Sequence, residues 1–146
     1  MTMRLETVEK GLVERLKAAS QKQQRSAVRV ACELAFQAVD MPLVVDSLEQ
    51  LRRGEKFTIG QISALENLAA KLDEQYFELQ DGLDDEQNLD VNALQLFSQA
   101  RAVSALSLAG GENSFMSAAE AIYEASSAVD DGSSIFEAVL LVLLEP

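Results

Sequence analysis

VNALQLFSQARAVSALSLA, residues 91–109, is an apolar run rich in small residues with a single arginine near its middle. No proline or glycine interrupts it until Gly110 and Gly111, where glycine accepts the left-handed conformation that closes a helix. The stretch therefore reads as a helix. Arg101 lies one turn from Phe97 and Ala105 and two turns from Leu94 and Leu108, so its stem runs along an apolar stripe. A guanidinium keeps its charge in such a setting and must reach water or a carboxylate. The next segment, AEAIYEA, offers Glu120 and Glu124 on one face at i, i+4 spacing, and the short Gly-Gly link makes the two helices antiparallel neighbours. The spacing predicts a structural ion pair between Arg101 and Glu124, with Glu120 as the alternative partner. The competing reading makes Arg101 the ligand of an anion.

Helical periodicity extends outward from this pair of segments in both directions. Toward the N-terminus, Thr58 and Gln61 have capping-box spacing, which predicts a helix from Ile59 through SALENLAAKLDEQYFEL. Before it, Pro42 suits the first turn of a helix that ends at Gly54. AVRVACELAFQAV is apolar on most faces and is expected to cross the core, and Leu5, Val8, Leu12 and Leu16 mark a first amphipathic helix. The polar stretch SQKQQRS between them holds a turn or a helix start. Toward the C-terminus, FMSAAEAIYEASSAV is a sixth helix. After the turn Asp130, Asp131, Gly132, Ser134 and Glu137 have capping-box spacing for a seventh. No strand and no solenoid-type repeat is evident. The expectation is an all-α protein, a single irregular bundle of about seven helices spanning residues 1–146 as one domain.

The 12 basic and 24 acidic residues are unevenly distributed. Residues 1–56 hold 10 Lys/Arg and 8 Asp/Glu, whereas residues 57–146 hold 2 and 16, so the two parts carry +2 and −14. A phosphate backbone is bound by clustered cations, so nucleic acid is not the expected partner and a basic protein is. The acidic density peaks in DGLDDEQNLD, which lacks helical periodicity and reads as an exposed loop with Asp90 capping the following helix. Asp81, Asp84, Asp85, Glu86 and Asp90 are the candidate partner-binding residues. The apolar ending IFEAVLLVLL is too short for a membrane span, which takes about 20 residues, and reads as a buried helix. The opening twenty residues carry no secretory signal, and the mature chain is expected to start at Met1. Cys32, the sole cysteine, excludes an intramolecular disulfide and sits among apolar neighbours as a small core residue, consistent with a reduced, cytoplasmic setting.

The inventory of reactive groups argues against an enzyme. Histidine is absent, removing the commonest general base and the commonest zinc ligand. Three carboxylate pairs, Asp73 with Glu74, Asp84 with Asp85 and Asp130 with Asp131, could serve hydrolysis or magnesium. Adjacent helical residues diverge by about 100°, however, and acidic pairs at turns mostly cap helices. An EF-hand reading of the acidic loop fails. Starting at Asp81, its glycine and glutamate positions fall on Glu86 and Asn92. LAGGEN lacks the Lys and Ser/Thr of a P-loop. Tyr76 and Tyr123 read as core or interface aromatics. No metal or cofactor is expected.

Three segments, LDEQYFELQ, LFSQARAVSALSLA and AEAIYEASSAVDD, resemble the YjaG-like family of uncharacterised bacterial proteins over roughly residues 65–131. Similar all-helical sequences occur among immunity proteins of bacterial polymorphic toxin and contact-dependent inhibition systems. The resemblance implies an all-α fold without a catalytic residue, with Arg101, Tyr123 and Glu124 matching its pattern. It points to an acidic protein-binding module, an immunity protein that occludes a cognate basic toxin, for which a nuclease toxin is basic enough. The alternative is a helical adaptor or regulator that pairs with a second copy through its apolar last helix.

Overall fold

The computed structural model of the chain describes residues 9–36, 41–81, 91–110, 115–129 and 131–144. Over them the backbone forms seven helices and no strand: α1 (Lys10–Ala18), α2 (Gln21–Ala35), α3 (Pro42–Arg52), α4 (Ile59–Asp81), α5 (Val91–Ala109), α6 (Phe115–Ser127) and α7 (Ser133–Leu144). The protein is all-α.

Each helix starts or stops for a local reason. The polar stretch after α1 resolves into a helix start, with a full capping box at Ser20. Its Oγ accepts from the Gln23 N–H at 3.1 Å while the Ser20 N–H donates to Gln23 Oε1 at 3.2 Å. Pro42 occupies the first turn of α3, where its missing N–H costs nothing. At the other end of α3, Gly54 takes φ 74°. The Gly54 N–H donates to Leu51 at 3.1 Å and the Glu55 N–H to Gln50 at 3.0 Å, the bonding of a Schellman cap.

Two further caps differ from expectation. Thr58 accepts from the Gln61 N–H at 3.0 Å, but the Gln61 side chain does not return the bond. It reaches instead to α3, donating to the fully buried Ser47 Oγ at 3.0 Å and to Gln50 Oε1. Ser47 Oγ itself donates to the Leu43 carbonyl at 2.7 Å, so this buried hydroxyl is satisfied. At α7, Asp131 rather than Ser134 is the cap: its Oδ1 accepts from the Ser133 N–H at 3.1 Å, and Ser134 lies inside the helix, donating back to the Asp131 carbonyl.

The helices pack as a run of neighbours, α4 along α5 and α5 along α6, with α2 crossing against α5, α6 and α7. Antiparallel direction for α4 and α5 follows from two cross-contacts, Asp73 with Arg101 and Tyr76 with Phe97, in which one number rises as the other falls. α5 is apolar on nearly every side because α2, α3, α4 and α6 all contact it. Both α5 and α6 bury many small residues, Ala100, Ala102 and Ala105 on the first and Ala118, Ala119, Ala121 and Ala125 on the second, and short side chains let packed helices approach closely. Larger side chains, Leu12, Leu16, Leu65, Leu106, Ile122, Ile135 and Val139, fill the remaining core, each stabilising by about 1.5–3 kcal/mol.

Two helix ends depart from their sequence reading. Of Gly110 and Gly111, expected to close α5 through a left-handed backbone, Gly111 lies outside the described residues, and Gly110 does not have positive φ. Its need is steric. A Cβ at Gly110 would occupy the ring of Phe57, whose N–H donates to the Gly110 carbonyl at 3.4 Å. The second correction concerns α7, which buries only one stripe, Ile135 and Val139, and leaves Leu141 67 % exposed. Among the described residues no helix is long and apolar enough to cross a membrane.

Candidate protein-binding surface

Arg101 stands halfway along α5, between α4 on one side and α6 on the other. Its guanidinium fork divides between them. One terminal nitrogen donates to Glu124 Oε2 on α6 at 3.2 Å, and the other to Asp73 Oδ2 on α4 at 2.7 Å. The Glu124 side chain is 6 % exposed, that of Arg101 23 % and that of Asp73 31 %. The structure thus brings the sequence candidates Arg101 and Glu124 together and adds a second carboxylate, Asp73, where Glu120 stood as the alternative.

The chemistry explains the grouping. Glu124 is buried, and a carboxylate is costly there unless it is paired and hydrogen-bonded. Arg101 can serve it because its planar fork presents donors in two directions at once. Its Nε has no hydrogen-bond partner among the described residues, and the guanidinium carbon stands 5.8 Å from the centroid of the Phe97 ring, a cation–π contact. Arg101 binds three helices together.

Phe97 leads from this cluster to the surface. Its ring packs at 5.5 Å on Tyr76, which in turn meets Phe77 edge-on at 5.4 Å. Phe77 is 62 % exposed and Phe97 36 %. The same antiparallel register sets Leu79 of α4 against Leu94 of α5, and both are exposed. Glu74 and Glu78, on α4 between and beside these residues, are exposed carboxylates. The outcome is an aromatic and aliphatic patch inside an acidic frame. Apolar side chains clustered at a surface mark contact sites more often than isolated ones do.

The patch occupies the ends of α4 and α5 that the stretch 82–90 joins. Of the expected partner-binding residues, Asp84, Asp85, Glu86 and Asp90 lie outside the described residues, and Asp81 is described only as the last residue of α4. The patch itself was not singled out from the sequence. Its signal was Tyr76-Phe77 followed by Leu79 inside the acidic run LDEQYFELQ, more apolar residues than one buried helix stripe needs.

Other reactive groups do not assemble. Among the described residues no three metal-ligating side chains come together. Cys32 is fully buried, and burial, reinforced by the neighbouring Glu33, pushes its thiol up to about 12. No family model, curated protein or solved structure matches the chain.

Proposed function

We propose that the chain is an acidic protein-binding module of the immunity type, which occludes a basic toxin through the α4–α5 end of the bundle. The observation that supports this reading is the juxtaposition of exposed Phe77, Phe97, Leu79 and Leu94 with Glu74 and Glu78. Aromatic anchors inside a polar rim are how affinity concentrates at protein interfaces, and an acidic frame selects a basic partner and speeds its approach. The resemblance to YjaG-like and immunity sequences belongs to the same proposal. The Arg101 cluster acts in it as scaffold, holding α4 and α5 in the register that creates the patch.

The experiment begins by assaying the protein domains encoded in the genes adjoining this one for toxin activity and taking forward any that is toxic; a neighbourhood with none would remove the proposal. Mixed with that domain, the wild-type chain should abolish toxin activity at equimolar ratio, and a photo-crosslinker placed at Phe77 should link to it. Inhibition that survives Phe77→Ser and Phe97→Ser together, or no inhibition at any ratio, would remove the proposal. The exposed Leu141 and Leu144 on α7 favour a second reading, self-association through the last helix. A dimer by light scattering that Leu141→Glu converts to monomer would establish it.

A further inference from the structure

A cleft of about 650 Å³, open solvent at its mouth included, lies on another part of the molecule, where the first half of α2 meets the turn after α3, the end of α5 and the first turn of α6. Its floor is apolar: Val28, Leu51, Leu108 and Ala118. Its rim carries two cations, Arg25 from α2 and Lys56 from the turn. In a chain with a net charge of −12 this is an inversion of the prevailing sign.

The backbone builds the cleft from features already described. Gly54, with φ 74°, reverses the chain after α3 so that Lys56 comes to the rim and Phe57 enters the core. Gly110 lets Phe57 lie directly on the end of α5. The one carboxylate at the rim, Glu55, has Arg53 Nε 3.8 Å away. Among the described residues no carboxylate forms an ion pair with Arg25 or Lys56. The first turn of α2, where Gln21 lines the cleft, contributes the positive end of a helix dipole to the same field.

We propose that this cleft is a binding site for a small organic anion with an apolar body, such as a medium-chain carboxylate. The apolar body lies on Val28, Leu51 and Leu108, and the anionic head sits between Arg25 and Lys56. The site is independent of the α4–α5 surface, whose carboxylates repel the same ligand.

The test uses the full chain and the fluorescent anion 1-anilinonaphthalene-8-sulfonate, displaced by octanoate and, separately, by its neutral counterpart octanamide. One saturable site is expected, with octanoate competing at least tenfold better than octanamide. Charge-assisted hydrogen bonds of the ordinary strength predict a loss of about tenfold or more for Arg25→Gln with Lys56→Gln. Both side chains are exposed, so the melting temperature of that variant should stay within a degree or two of wild type, by roughly the modest worth of surface charges. Phe77→Ser with Phe97→Ser should leave dye binding unchanged. Dye binding that does not saturate, that disappears with the phenylalanines instead, or that treats octanoate and octanamide alike would overturn the proposal.

Discussion

Arg101 shows how one buried charge sets the terms for its neighbours. Replacing it with Leu removes from the buried Glu124 the charge that Arg101 supplies, whereas Asp73, 31 % exposed, can still be hydrated. Arg101→Leu should therefore destabilise by about 2–4 kcal/mol in chemical denaturation, a little below the range for a fully buried pair. Glu124→Leu should also destabilise, and the double replacement should recover part of the loss because two apolar groups leave no orphaned charge. Additive losses would mean that the two residues are not coupled. Cys32 makes a pH prediction. Burial pushes its thiol up to about 12 in the folded chain from about 9.0 when unfolded, so both states hold the proton below the lower value and the full stabilisation is present there. As pH rises above that, the unfolded state loses its proton first and stability falls by about 1.4 kcal/mol per pH unit. Cys32→Ala lacks this term. Unfolding free energies of the two proteins, measured across mildly alkaline pH, should converge and then cross over relative to their neutral-pH difference; parallel curves would show an accessible thiol.

Helix ends and helix contacts carry the next level of constraint. α5 must stop where Phe57 lies over its last turn, and Gly110 is the residue that permits this. Gly110→Ala should cost about 1–3 kcal/mol, the usual range for forcing a methyl group into a packed site. In a Phe57→Ala background the same substitution should cost markedly less, since the obstructing ring is gone, and a double-mutant cycle by urea unfolding would measure the difference. Equal costs in both backgrounds would return the explanation to backbone conformation. The buried alanines of α5 and α6 obey the same logic. Ala121, fully buried, has no room for growth, so Ala121→Leu should also lower the midpoint of unfolding.

At the scale of the whole molecule, charge and shape divide the work. The cations fall mainly in the first three helices and the turn after them, and the carboxylates concentrate from α4 onward, with 9 acidic residues and one lysine between Glu66 and Asp90. Under the proposed function this field governs approach and the aromatic patch governs residence. Neutralising Asp84, Asp85 and Glu86 together with Asn, Asn and Gln should slow association with a basic toxin domain and flatten its salt dependence, with little change in melting temperature. Phe77→Ala should instead raise the dissociation rate, as truncating an interface anchor does. Stopped-flow association at two ionic strengths separates these effects, and an unaltered on-rate for the triple variant at low salt would exclude the acidic stretch from the interface.

The all-α fold, Pro42 and Gly54 as helix boundaries and the division of charge were legible in the sequence. Each depends on residues within a turn or two of one another, and hydrophobic spacing and backbone capping act at that range. The helix start at Ser20 was legible too, in the Ser20 to Gln23 spacing, but the surrounding polar run masked it. Tertiary structure alone selected Asp73 as the second partner of Arg101, turned the side chain of Gln61 to Ser47, and gave Gly110 its steric reason. It also left Phe77 and Leu79 at the surface, and joined Arg25 and Lys56 across one cleft. These outcomes depend on the register of α4 against α5 and on where α3 turns back over the end of α5. Packing among residues distant in the chain sets that register, and no local propensity records it.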